Sequence, residues 1–130
     1  MRSLSEPVVW TNLLFFLNAL LWLYAGLPTT AGLVAITAFA SLSYHVFKES
    51  EPISKLIDHS CAYAALIWTL WVAHPMLSLI HIAVLATALV VGLIFKNYAH
   101  RTSYEAPHTY WHICVFIGQG VLAYACLLDP

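Results

Sequence analysis

The sequence predicts an all-α fold: one polytopic transmembrane helical bundle of about five spans, with its N-terminus in the cytoplasm. Three observations carry this. First, 62% of the 130 residues are hydrophobic and only 8% are charged, whereas a soluble domain carries about a quarter charged residues. Second, five apolar runs, at 8–27, 30–47, 57–74, 76–95 and 107–127, come close to the roughly 20 residues that a helix needs to cross a bilayer. Third, an odd number of spans puts the N-terminus and both longer polar connections on one side. That side then holds Arg2, Lys48, Lys55, Lys96 and Arg101, which are all the Lys and Arg residues of the chain. By the positive-inside rule it is the cytoplasmic side. Four or six spans would divide these residues between the two sides. The whole chain, 1–130, is expected to form a single membrane domain.

The first run follows Arg2 and so resembles a secretory signal. It is longer than the apolar core of a signal, which is about 7–15 residues. Glu6 and Pro7 stand where positive charge is expected, and no Ala-x-Ala site follows, so it is read as a span. Asn12 and Asn18 within it are expected to hydrogen-bond between helices. The prolines support the division: Pro7, Pro28, Pro52, Pro75, Pro107 and Pro130 all fall at helix starts or in connections, where a missing N–H costs least. The longer connections are "KESEPISKL", 48–56, and "KNYAHRTSYEA", 96–106; the opposite side has only "LPTT", the His74-Pro75 junction and the C-terminal Asp129. Trp10, Trp71 and Trp111 lie near span ends and read as interface anchors. Trp22 and Trp68 lie deeper, facing lipid or packing between helices.

The second run ends in "SLSYH", which sets Ser41 and His45 on one helix face with Ala31, Ala35 and Ala38. A stripe of small residues lets helices approach closely, so this face should point into the bundle. The third run opens with "LIDHSCAY" and brings Asp58 to the same side of the membrane; the fifth opens with "PHTYWH" and brings His108 and His112 there too. Polar groups inside spans are costly and need a reason. Here they lie on three helices at one depth.

Three neutral imidazoles suit a catalytic zinc, leaving its fourth tetrahedral position for water, whose pKa falls to about 7. A nearby carboxylate can take the proton, and a hydroxyl can orient water or an oxyanion. His45, His108 and His112 are therefore the candidate metal ligands, and Asp58 and Ser41 the candidate catalytic groups. No His-Glu-x-x-His is present, so the soluble metalloprotease pattern is absent. Each residue also has a plainer reading. Periodicity alone produces His-x3-His pairs, and His45 can bond a backbone carbonyl. Ser41 can bond the carbonyl one turn back, and Asp58 can serve the helix dipole.

Other groups rank lower. His59 points about 100° away from Asp58, either as its partner or as an interfacial residue, and His100 is in a loop. His74 and His81 lie at the opposite membrane face, seven apart on one helix face, where packing is the expected role. Cys61, Cys114 and Cys126 are odd in number and lie in apolar runs, which suits buried thiols rather than disulfides or a metal site. The net charge is −1, and no basic stripe offers a surface to nucleic acid.

Ser-x3-His in one span, Asp at the start of the next and His-x3-His in the last resemble the CREST superfamily of membrane proteins. "SLSYHVF" followed by "KLIDHSCAY" looks most like its hemolysin III and progestin and adipoQ receptor branch. "HTYWHICVFIGQG" is similar to the closing helix of that branch and of the alkaline ceramidases. The resemblance covers the second, third and fifth spans. It implies zinc on His45, His108 and His112, a water held by Asp58 and Ser41, and hydrolysis of the amide bond of a ceramide-like lipid. The family core has seven spans where this sequence has five. A missing hairpin keeps the direction of the last helix but removes two walls of the lipid cavity. The chain is then a reduced member, a homodimer that completes the cavity, or a metal binder without turnover.

Three functions are weighed. The first is a zinc-dependent intramembrane hydrolase of a lipid amide or ester, with substrate arriving laterally from the bilayer. The second is a non-catalytic receptor-like, hemolysin III-like or membrane-remodelling protein with structural zinc. The third is a small transporter or proton relay, which would spread histidines over several depths. The bacterial inner membrane is the expected location, with the metal site near its cytoplasmic face.

Overall fold

The computed structural model describes residues 6–47, 51–99, 101 and 105–128. Arg2, Lys48, His100, Asp129 and Pro130 lie outside the described residues, so the full charge asymmetry is not on view. Everything described is helix or short connection, with no strand among the described residues. Five helices have the length and apolarity to cross a membrane: α1 (Pro7–Tyr24), α2 (Pro28–Phe47), α3 (Pro52–Met76), α4 (Leu79–Ala99) and α5 (Ala106–Leu128).

α1 is not one continuous α-helix. A turn of α-helix, Pro7–Trp10, passes into a 3-10 segment, Thr11–Leu13, before α-helix resumes over Leu14–Tyr24. Within it, Thr11 Oγ1 donates to the Pro7 carbonyl at 2.9 Å and Asn12 Nδ2 to the Val8 carbonyl at 2.7 Å, each side chain bonding the carbonyl one turn back. α1 ends at Tyr24, three residues before the sequence suggests, because Gly26 adopts a positive φ of 76°. Gly26 N–H bonds the Leu23 carbonyl and Leu27 N–H the Trp22 carbonyl, both at 3.0 Å. This glycine-centred pair closes the last turn, and Pro28 opens α2.

The other boundaries move for similar reasons. α3 starts at Pro52, five residues earlier than expected, because proline at the first helical position is pre-set for the helix. His74–Met76 forms a 3-10 turn, and α4 starts only at Leu79. Ser78 and His81 form a reciprocal cap at this start: Ser78 N–H donates to His81 Nδ1 at 3.2 Å, and His81 N–H donates to Ser78 Oγ at 3.4 Å. His81 thus has a capping role. His74 stands on the turn before the helix, with its Nδ1 donating to the Trp71 carbonyl at 2.6 Å. The expected shared helix face of His74 and His81 does not exist, because the turn breaks the period.

Contacts along the chain show the helices alternating in direction. Trp68, late in α3, donates to Thr30, early in α2. His81, early in α4, faces Tyr124, late in α5. α5 is the central helix, packing on α1, α3 and α4. The small-residue face of α2 is buried as expected through Ala31, Ala38, Ser41 and His45. The α5 contacts of α4 are close: Gly92 leaves room for Trp111 and Cys114. Trp111 packs in this seam, with Lys96 Nζ 4.9 Å from its ring centre.

The main apolar core lies toward the Tyr24 end and includes Trp22, Val34, Ala73, Leu122 and Cys126. Trp22 is fully buried and therefore a packing residue, not a lipid-facing one. Its Nε1 donates to Gln119 Oε1 at 3.3 Å, and Gln119 Nε2 donates to Thr69 Oγ1 at 3.0 Å. Three helices are thereby tied by one buried polar chain. Asn18 bonds between helices as expected, donating to the Phe116 carbonyl at 2.9 Å. Asn12 does not: its amide stays within α1. The three cysteines are free thiols.

Candidate metal centre

The end of the bundle away from that core holds a small apolar group of Val8, Val9 and Val46. Beside it, the last turn of α2 presents His45, and the first turns of α5 present His108 and His112. One turn of helix separates His108 from His112, so both rings project from one face. The ligand atoms of all three histidines lie within 4.8 Å of one another. Their ring centroids are 5.1 Å (His45–His108), 5.2 Å (His45–His112) and 4.7 Å (His108–His112) apart. His45 and His112 are buried and His108 is half-buried.

The fit to a metal follows from these distances. Bonds of about 2.0–2.1 Å to imidazole nitrogen in a tetrahedral zinc site imply nitrogens about 3.3 Å apart. Small side-chain rotations bridge the difference. Three imidazoles so gathered are a donor set that zinc and other first-row transition metals take.

Asp58 and Ser41 flank this cluster without joining it. Both are buried, and the Ser41 hydroxyl lies near enough to the Asp58 carboxylate to act on it. His45, His59 and Lys96 are the basic groups close enough to act on that carboxylate. His59 lies 3.6 Å from Asp58 through Nδ1 but is better bonded to its own helix, donating to the Lys55 carbonyl at 2.8 Å. Among the described residues, the group close enough to share one ion consists of the three imidazoles. All five residues singled out in the sequence thus meet at one end of the bundle, three as a cluster and two beside it.

Sequence reasoning missed two neighbours. Thr11 Oγ1 lies 3.2 Å from His112 Nδ1, and the Phe15 ring stands edge-on to the His112 ring at 5.9 Å. Neither belongs to a spacing pattern with the histidines, and only the tertiary fold brings α1 to them.

Comparison of the chain with protein-family models, with curated proteins and with solved structures returns no match.

Proposed function

We propose that the chain is a zinc-dependent intramembrane hydrolase that cleaves a lipid amide, of ceramide-like type, or a lipid ester. The observation that carries this reading is the gathering of His45, His108 and His112 within 4.8 Å, with a carboxylate and a hydroxyl beside them. Bound there, zinc would supply a Lewis acid and bring a water pKa to about 7.

The chain's own groups have defined tasks. His45, His108 and His112 hold the ion through ring nitrogens. Asp58 accepts the proton of the water that adds to the substrate carbonyl, and returns it to the leaving nitrogen or oxygen as that bond breaks. Ser41, beside Asp58, orients the carboxylate and helps to hold the water or the oxyanion. The substrate is a bilayer lipid arriving laterally between helices. The Lys and Arg distribution of the sequence supports a cytoplasmic face for this end, and the membrane in this reading is a bacterial inner membrane.

A second reading, a structural metal without turnover, draws on α4. Only Gly92 and Ala99 of that helix are buried, so it encloses little of a lipid cavity, and a homodimer would be one way to complete it.

Elemental mass spectrometry of the detergent-purified protein tests the metal. Stoichiometric zinc that disappears in His108→Ala/His112→Ala is the expected result. A folded protein without zinc would overturn both readings. Release of fatty acid from ceramides by the zinc-loaded protein then separates the hydrolase from the structural site.

A further inference from the structure

Thr11 has no role in the ligand set, yet its side chain is fully buried against one of the ligands. Its Oγ1 has three polar neighbours: the Pro7 carbonyl at 2.9 Å, the Val8 carbonyl at 3.3 Å and His112 Nδ1 at 3.2 Å. A hydroxyl has one proton to donate and two lone pairs with which to accept, whereas a carbonyl only accepts. If the proton pointed at His112, two oxygens would face one another at 2.9 Å with no hydrogen between them. The proton therefore goes to the backbone, and a lone pair faces the imidazole. His112 Nδ1 must carry the hydrogen in that contact.

A neutral imidazole with hydrogen on Nδ1 has its free lone pair on Nε2. We propose that Thr11 is a positioning residue for the metal centre: it holds His112 in the Nδ1–H tautomer and leaves Nε2 as the atom that binds the ion. The edge of Phe15, 5.9 Å away, packs against the same ring. The bonds from Thr11 to the carbonyls of the preceding turn direct its proton away from His112. The inference rests on the zinc reading for its purpose. The hydrogen bond itself does not.

The test uses Thr11→Val, which keeps the shape and removes the hydroxyl, and Thr11→Ser, which restores it. Thr37→Val is the control. Thr37 also bonds the carbonyl one turn back, at 2.9 Å, and its hydroxyl reaches a second carbonyl on α3, that of Cys61, at 3.2 Å.

Two readouts are taken. Nitrogen-15 shifts of labelled histidine in the metal-free protein, with His112 assigned by difference against His112→Ala, report the tautomer. Chelator competition with zinc reports affinity. Hydrogen on Nδ1 in the wild type, mixed tautomers in Thr11→Val and recovery in Thr11→Ser are expected. Zinc binding should weaken about 10–100-fold in Thr11→Val, recover in Thr11→Ser and stay unchanged in Thr37→Val. Hydrogen on Nε2 of wild-type His112, or undiminished affinity in Thr11→Val, overturns the inference. A wild type that takes up no zinc overturns the zinc reading and the positioning role with it, while the tautomer readout still decides whether the Thr11–His112 bond is as described.

Discussion

Gly92 is where the packing of α4 on α5 can be tested most sharply. A Cβ at this position would lie 2.9 Å from Trp111 Cε3, 3.1 Å from Trp111 Cζ3 and 3.0 Å from Cys114 Cβ. Carbon atoms in good contact are about 3.5–4.0 Å apart, so the overlap is about 0.5–1 Å on two partners at once. The indole could swing, but Cys114 Cβ is fixed to the α5 backbone and cannot. The seam must therefore open. Overpacking of this kind costs about 1–3 kcal/mol, against which alanine recovers about 1 kcal/mol of helix propensity relative to glycine. Gly92→Ala should then destabilise by about 0–2 kcal/mol, a range that includes no effect. Gly92→Val adds two methyl groups at the same place with less propensity gain, and should cost about 2–3 kcal/mol. The assay is reversible unfolding in mixed micelles, read by tryptophan fluorescence, with zinc content measured alongside. Zinc should be retained, because His108 and His112 face α1 and α2, not α4. Wild-type stability in Gly92→Val would refute the close α4–α5 seam.

Three further outcomes are expected. His45→Ala should remove zinc as fully as His108→Ala does, while His81→Ala, which alters a helix cap and a ring contact with Tyr124 at the other end of the bundle, should leave zinc in place; elemental analysis of the three variants decides. Asp58→Asn should keep fold and zinc but lower ceramide hydrolysis by about 10²–10⁴-fold, and full turnover in this variant would remove Asp58 as the proton acceptor. Gln119→Leu keeps the volume but leaves the buried Trp22 N–H without its acceptor. It should cost about 1–2 kcal/mol, and a double-mutant cycle with Trp22→Phe that shows no coupling would contradict the bond.

The fold class and the three-histidine cluster were legible because both rest on strong, short-range regularities. Apolar runs of span length leave few alternatives to helices, and four-residue spacing places Ser41 with His45 and His108 with His112 on common faces whatever surrounds them. Boundaries were less legible. The end of α1 depends on Gly26 at positive φ, and the start of α4 on Ser78 and His81 capping each other; each device is a few residues long within an apolar or polar stretch that hides it. Asn12 misled for a related reason. Its residue type suggests a helix–helix bond, but the local carbonyl of Val8 captured its amide. Thr11 and Gln119 act through partners 101 and 97 residues away, and no periodic pattern in one sequence links such pairs.

The two ends of the bundle divide the work between different helices. At the Tyr24 end, Trp22, Gln119 and Thr69 tie α1, α5 and α3 together through a buried polar chain. At the other end, α2 gives one imidazole, α5 gives two, and α1 supports one of them through Thr11. α5 runs through both ends, so the helix that carries two of the clustered histidines also takes part in the buried polar chain at the Tyr24 end. α4 contributes no candidate ligand and packs chiefly on α5. Metal binding should therefore survive changes that loosen α4, whereas a reaction that needs a walled lipid cavity should not. If Gly92→Val retains zinc and loses hydrolysis, α4 belongs to the substrate wall. If it retains both, the active cavity is formed without α4, by the α1–α2–α3–α5 core or by a second copy of the chain.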